Sequence, residues 1–432
     1  MRLAIVRLLV PLIVVAAWAS TAQAQTCDAT PLVIANVNVW TPEGFQPRRD
    51  VTIVDGRVAS VVATSGKTAQ GRRIDGTGHT LLPGLIDTHL HFSIPGGLPA
   101  TNGPRTDGDQ ITARQVLRSG VTSGRLHLAS LENAIALKQH SLDPCAAIPR
   151  LQVGGPGISG AQQKDNPVFM GGYSVEDAVG KVRKFAAAGV DWLAVHDAHR
   201  FPPGVLQAIA GAARKANVRL MAAGNTADEI RAALSIDPDT LDYFDRTAAT
   251  GYDEAILAGI RARRRMILAP TPGVPFRMIQ YRQHPARLEE AANFRGFSDA
   301  DREFVLANAK KVLDSAEMTR NLDVVPTIAN KLKQLRSTGL SMAIASDAGS
   351  TMQFQPNAVW WEMESWRANG IPARDVLIAA TVGGARVLRL DDVGHLRPGA
   401  RGDFVLYRGN VEEGPFDVTR VLSVGKGGIV FN

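Results

Sequence analysis

The sequence predicts an α/β protein, a closed (β/α)8 TIM-like barrel with a composite β-sandwich formed by both chain ends, on three observations. Short apolar strand segments alternate with helical ones from about Leu82 to Asp347, the pattern of a parallel sheet. That span is long enough for eight strand-helix units, which favours a closed barrel over an open doubly wound sheet. Both ends of the chain instead carry short alternating apolar stretches broken by turn residues, so a small β-domain is assembled from the two termini.

Taken in order, residues 1–24 read as an export signal. Arg2 and Arg7 supply the positive end, Leu8 to Ala17 is apolar, and Ala22-Gln23-Ala24 is a small-x-small cleavage site. Cleavage before Gln25 and a periplasmic or secreted location are expected. An uncleaved membrane anchor would need an apolar run of roughly 20 residues, more than this one offers. A lipoprotein signal fits less well, since Cys27 follows Gln25-Thr26. Losing Arg2 and Arg7 leaves +5 of the formal charge of +7, without long basic runs, so neither nucleic acid nor a membrane surface is called for. The densest basic patch, Arg261 to Arg265, reads as the solvated end of a helix. The two cysteines, Cys27 and Cys145, form one disulfide in an oxidising compartment or stay as two buried thiols.

Residues 25–82 hold the first part of the β-domain. Its strands run around Leu32-Val33-Ile34, Val51 to Val54 and Val58 to Val62, with Asp55-Gly56 as a hairpin turn. Residues 83–382 form the barrel, with strands at Leu193 to Val195, Leu220 to Ala222, Met266 to Ala269 and Met342 to Ile344, and helices at Val175 to Ala188 and Asp228 to Leu234. Ser174 has the form of an N-cap and Gly189 that of a C-terminal stop. The stretch Gly154 to Gly160 lacks the Lys-Ser/Thr of a phosphate loop and reads as a mobile loop over the barrel mouth. Thr271 to Leu322 is longer than a connection needs. Its helical pattern from Ala300 to Thr319 marks an insertion that shapes the entrance. Residues 383–432 complete the β-domain through Phe404-Val405-Leu406 and Val421-Leu422.

The strongest chemical signal is Leu81-Leu82-Pro83-Gly84-Leu85-Ile86-Asp87-Thr88-His89-Leu90-His91. Strand alternation puts Asp87, His89 and His91 on one face. Two imidazoles at the C-terminal end of a barrel strand can grip one divalent ion, with Asp87 supporting them from below. The segment resembles the first barrel strand of the amidohydrolase superfamily, in particular its imidazolonepropionase-like and prolidase-like branch. Gly120-Val121-Thr122-Ser123, Asp191-Trp192-Leu193 and Ala345-Ser346-Asp347-Ala348-Gly349 resemble that family's second, fourth and eighth strands. Ala380 to Arg386 and Pro398 to Asp403 resemble its return to the β-domain.

The resemblance implies hydrolysis of a C–N or related bond by metal-activated water, with His89 and His91 as ligands and Asp347 as ligand and general base. The family's strand-four lysine falls on Ala194, its strand-five histidine on Ala223 and its strand-six histidine on Arg246, so one divalent ion, zinc, is expected rather than two. His196 shares a face with Trp192 and Ala194 and either completes the site as a further ligand or caps the following helix. Asn225, His127 and His199 fall near strand ends and read as polar trim.

Arg246 opposes a metal. At about 6 Å and an effective dielectric of about 20, its repulsion of a dication is of order 5 kcal/mol. It therefore turns outward, pairs with Asp245, bridges to Asp347, or holds a substrate carboxylate. Two functions follow: a mononuclear hydrolase acting on amide, cyclic amide or peptide C–N bonds, the non-peptide ones favoured, or a catalytically degenerate barrel serving as a binding or scaffold protein. A small-molecule substrate is expected as partner, and a homo-oligomer is left open.

Overall fold

The N-terminal part folds as a meander because its turns demand it. Strands β1 (Leu32–Thr41), β2 (Gly44–Val54) and β3 (Arg57–Ala63) pair antiparallel in succession. Asp55 and Gly56 both adopt positive φ, +49° and +74°, the backbone of a tight type I′ hairpin. The register of β1 slips between Ile34 and Val37, where Asn36 has φ +52°. Before this bulge β1 runs parallel to β4 (Arg72–Asp75), and after it parallel to β5 (Thr80–Pro83). The kink thus lets one strand serve two partners along the same edge. The computed structural model describes residues 30–65, 71–92, 106–128, 130–161, 169–350 and 352–431; the export signal and Cys27 lie outside them.

Beyond Gly84 the chain enters the barrel. Its strands are β6 (Leu85–Leu90), β7 (Val121–His127), β8 (Arg150–Gly154), β9 (Gly157–Ser159), β10 (Phe169–Gly171), β11 (Trp192–His196), β12 (Arg219–Ala223), β13 (Thr240–Asp242) and β14 (Ile267–Ala269). The parallel order is β14-β13-β12-β11-β8-β7-β6, with β9 prolonging β8 alongside β11 and β10 paired to β9. Residues 341–348 supply the eighth stave. On one side Leu268 N donates to Ser341 O (3.0 Å) and Ala343 N to Leu268 O (2.9 Å). On the other, Thr88 N donates to Ile344 O (2.9 Å), Asp347 N to His89 O (3.0 Å) and His91 N to Ala348 O (2.7 Å). The ring is closed by these bonds, and no sheet edge is left at this join.

Alternation then sorts the side chains. Trp192 and Ala194 point into the ring, where they pack with Ile86, Met221 and Ala343, while Leu193, Val195, Leu220 and Ala222 face the surrounding helices. The helix Gly384–Leu388 closes the lower end of the ring through Ala385, Val387 and Leu388. Helix Val175–Ala188 has the predicted bounds. Ser174 accepts the Asp177 N–H, Gly189 ends the helix at φ +89°, and Ala178, Val182 and Phe185 form its buried stripe.

Two expectations are corrected. Gly154 to Gly160 is not a mobile loop but β8, β9 and their join, buried against β11. Its glycines serve close approach: a Cβ on Gly157 would stand 2.9 Å from His196 Cδ2, and one on Gly160 2.4 Å from Asp197 O. The single helix expected from Ala300 to Thr319 is two, Asp299–Leu313 and Ala316–Val324. They part at Asp314-Ser315, where Ser315 caps the second by accepting the Met318 N–H.

The chain returns through β15 (Phe404–Tyr407), β16 (Val421–Lys426) and β17 (Ile429–Phe431). β15 pairs antiparallel with β5, so one eight-stranded sheet holds both chain ends. Its core includes Leu32, Val37, Val51, Ile53, Phe404 and Leu406. Arg150 on β8 pairs with Asp403 and couples this sheet to the barrel. Cys145 is disulfide-bonded. Its loop is anchored by Lys426, whose Nζ donates to Ala146 O (2.6 Å) and Ile148 O (2.9 Å). Among the described residues no helix is long and apolar enough to cross a membrane.

Candidate metal centre

Three ligand atoms, one each from His89, His91 and Asp347, lie within 4.8 Å of one another at the C-terminal end of β6 and the eighth stave. His89 Nε2 is 3.8 Å and His91 Nε2 3.2 Å from Asp347 Oδ1. The other nitrogen of each ring is already engaged: His89 Nδ1 with Asp242 Oδ2 at 2.8 Å, His91 Nδ1 with His127 O at 3.0 Å. A carboxylate and a carbonyl can only accept, so each Nδ1 carries the proton and each Nε2 turns a lone pair toward Asp347. Two lone pairs and a carboxylate oxygen brought this close require a cation or an added proton between them. Two imidazoles, each steadied through its far nitrogen, with one carboxylate form a donor set that fits a divalent ion.

Burial pushes the Asp347 carboxyl up, but when the imidazoles take an added proton the His91 hydrogen bond and the charges of His89, His91 and Arg246 outweigh it and bring its pKa down to about 2. Its backbone lies in the left-handed region, φ +57°, and is held there by the bond from its N–H to His89 O.

Asp242, which the sequence reading passed over, is the residue that orients His89. Burial raises its carboxyl, yet Arg125 and His89 keep it below the ordinary range. Arg125 is fully buried and ion-paired to Asp242, donates Nη1–H to Thr240 Oγ1 (3.0 Å), and stacks 4.6 Å above the Trp192 ring. The expectation that Asp87 supports the imidazoles is corrected. Asp87 accepts hydrogen bonds from Ser346 N (3.0 Å), Ser346 Oγ and the backbone N–H of His89 (3.2 Å). It rivets β6 to the eighth stave, and burial lifts its pKa to about 6.

The remaining candidates lie around this group. His196 is outside it: its ring packs edge-on against Phe169 at 4.6 Å and stands 6.4 Å from Tyr243. Burial and His89 depress its pKa to about 4, so it is neutral. Ala194 and Ala223 are buried. His127 is buried with both ring nitrogens unpartnered among the described residues, 5.0 Å from the His89 ring. Tyr243, also passed over, has φ +71° and places its hydroxyl 3.5 Å from His89 Nε2. His199 is exposed. Arg246 does not pair with Asp245, whose neighbouring cation is Lys331 at 3.9 Å. Its Cζ lies 6.0 Å from the Tyr243 ring, and its side chain lines a cavity of about 430 Å³ with Asn225, Thr226, Thr247, Arg320 and Asn321.

Residues 80–428, spanning both the closed ring and the returning sheet, match the amidohydrolase family. The chain belongs to that family. This amidohydrolase is similar to an imidazolonepropionase of Mycolicibacterium smegmatis, 26% identical over 386 residues that cover 84% of this chain and 85% of the relative. A dihydroorotase of Syntrophotalea carbinolica is 41% identical over 66 residues, 15% of each chain. The fold is similar to that of a Xaa-Pro dipeptidase with bound methionine in its active site, with a TM-score of 0.72 at 18% identity, covering 93% of this amidohydrolase and all of that chain.

Proposed function

We propose that this chain is a metal-dependent hydrolase that cleaves a C–N bond, in an amide or cyclic amide, at a single divalent site formed by His89, His91 and Asp347. The observation that carries the reading is the commitment of both Nδ1 atoms to acceptors, which leaves both Nε2 atoms converging on Asp347 Oδ1. A zinc ion bound there supplies Lewis acidity, which brings the pKa of water toward neutrality. Asp347 accepts the proton of the attacking water at its carboxylate and passes it to the leaving nitrogen. The Tyr243 phenol, kept protonated by burial and the Asp347 charge, is placed beside His89 to donate to the developing oxyanion. Residues 1–24 and the disulfide at Cys145 support a periplasmic or secreted location for the mature chain.

Purified mature protein supplemented with zinc is expected to carry about one ion per chain and to hydrolyse members of an N-acyl amino acid and lactam panel. Chelation and His91→Ala should each abolish turnover. A protein that takes up no divalent ion rules the reading out. The scaffold alternative draws support from buried Ala194 and Ala223, where the resemblance expects ligands, and it requires a melting temperature indifferent to chelator.

A further inference from the structure

Strand β7 aims a third imidazole at the metal centre. Arg125 points into the ring, where it pairs with Asp242 and stacks on Trp192. Strand alternation turns His127, two residues on, to the same side at the mouth. Its ring centroid stands 5.0 Å from that of His89, against 5.1 Å between His89 and His91. Two imidazoles that share one tetrahedral ion, at a Zn–N distance of about 2 Å, have centroids about 5 Å apart. The separation of His91 and His127, 6.2 Å, is the one that has to shorten.

No other contact claims this ring. His127 is 6% exposed, and among the described residues it is the one histidine with both ring nitrogens buried and without a hydrogen-bond partner. A neutral imidazole carries one donor and one acceptor, and burying both unpaired is costly. The fold nevertheless makes room for it: a Cβ on Gly154 would stand 2.9 Å from His127 Nδ1. The backbone beneath the ring is held, because His127 O accepts the His91 Nδ1–H at 3.0 Å. The ring nitrogens lie outside the close group of His89, His91 and Asp347, but turning them toward it breaks no hydrogen bond.

We propose that His127 is a third imidazole ligand of the metal centre, contributed by the second barrel strand. This inference rests on the hydrolase reading for the presence of an ion, and adds to it which side chains hold that ion. It removes a conflict within the site. Asp347 serves there as both ligand and base, and a carboxylate that takes up a proton weakens as a ligand. Two imidazoles alone would then hold the ion poorly, whereas three are by themselves the protein's share of an open catalytic zinc site. Asp347 can thus accept a proton while His89, His91 and His127 keep their grip.

The test is zinc K-edge X-ray absorption on the zinc-loaded mature protein, with zinc affinity measured against a competing chelator. The parent should show three imidazoles per ion and His127→Ala two, although the backbone carbonyl of residue 127 still serves His91 in that variant. Zinc affinity of His127→Ala should fall by more than the roughly 100-fold that marks the loss of an outer contact. His196→Ala removes a nearby ring outside the group and should keep three imidazoles and the parent's affinity. Two imidazoles in the parent overturn this proposal and leave the hydrolase reading standing, and that count depends on no variant's folding. A smaller fall in His127→Ala, or an imidazole lost in His196→Ala, overturns it as well. A parent that takes up no zinc defeats the hydrolase reading, and this one with it.

Discussion

His89 has one ring nitrogen for Asp242 and one for the space it shares with His91 and Asp347, and the first contact makes the second useful. Asp242 is itself committed to Arg125 and to the Thr240 hydroxyl. Neutralising it therefore has two consequences that can be read separately. Asp242→Asn leaves Arg125 charged, buried and without its counter-ion, and is expected to cost about 3–5 kcal/mol of unfolding free energy in denaturant titrations. It also loosens the imidazole, so zinc affinity measured against a competing chelator should fall by roughly 10–100-fold. Unchanged zinc affinity in a folded variant would remove Asp242 from the account of the site.

Elements differ in how plainly they announce themselves. Helix Val175–Ala188 was legible to the residue because its cap, stripe and glycine stop are all local. The pair His89 and His91 was legible from strand alternation, and Asp347 from its resemblance to an eighth-strand signature. Asp242 was not, since its meaning lies in a partner 153 positions earlier. Gly154 to Gly160 misled because glycine reads as looseness in sequence, whereas here it admits His196 and Asp197 at short range. The turn after β13 is the element most dependent on a distant residue. Lys331→Met should leave the buried Asp245 O and the part-buried Thr247 O without their donor, at a cost of about 1–3 kcal/mol for the buried group and less for the other. Limited proteolysis should then cut near 245–247 before the rest of the barrel yields. A digestion pattern like that of the parent protein would mean that the turn holds itself.

At the scale of the whole molecule, buried carboxyls set the response to pH. Glu362, on helix Ala358–Ala368, accepts the Gly273 N–H and the Trp366 Nε1–H, and burial raises its pKa from 4.5 to about 8. The folded state thus holds a proton there that the unfolded chain has released, and the group's contribution to stability is complete below pH 4.5 and declines as pH rises through about 8. Melting temperatures measured from pH 5 to pH 9 should fall more steeply for the parent than for Glu362→Gln, and parallel curves would contradict the assignment.

The eighth stave fastens the two ends of the ring and also carries Asp347. A ligand that grips this stave and β6 together spans the seam where the cylinder would otherwise open. Loss of zinc should therefore register as earlier unzipping between Thr88 and Ile344, visible as faster amide exchange there, before any loss elsewhere in the barrel.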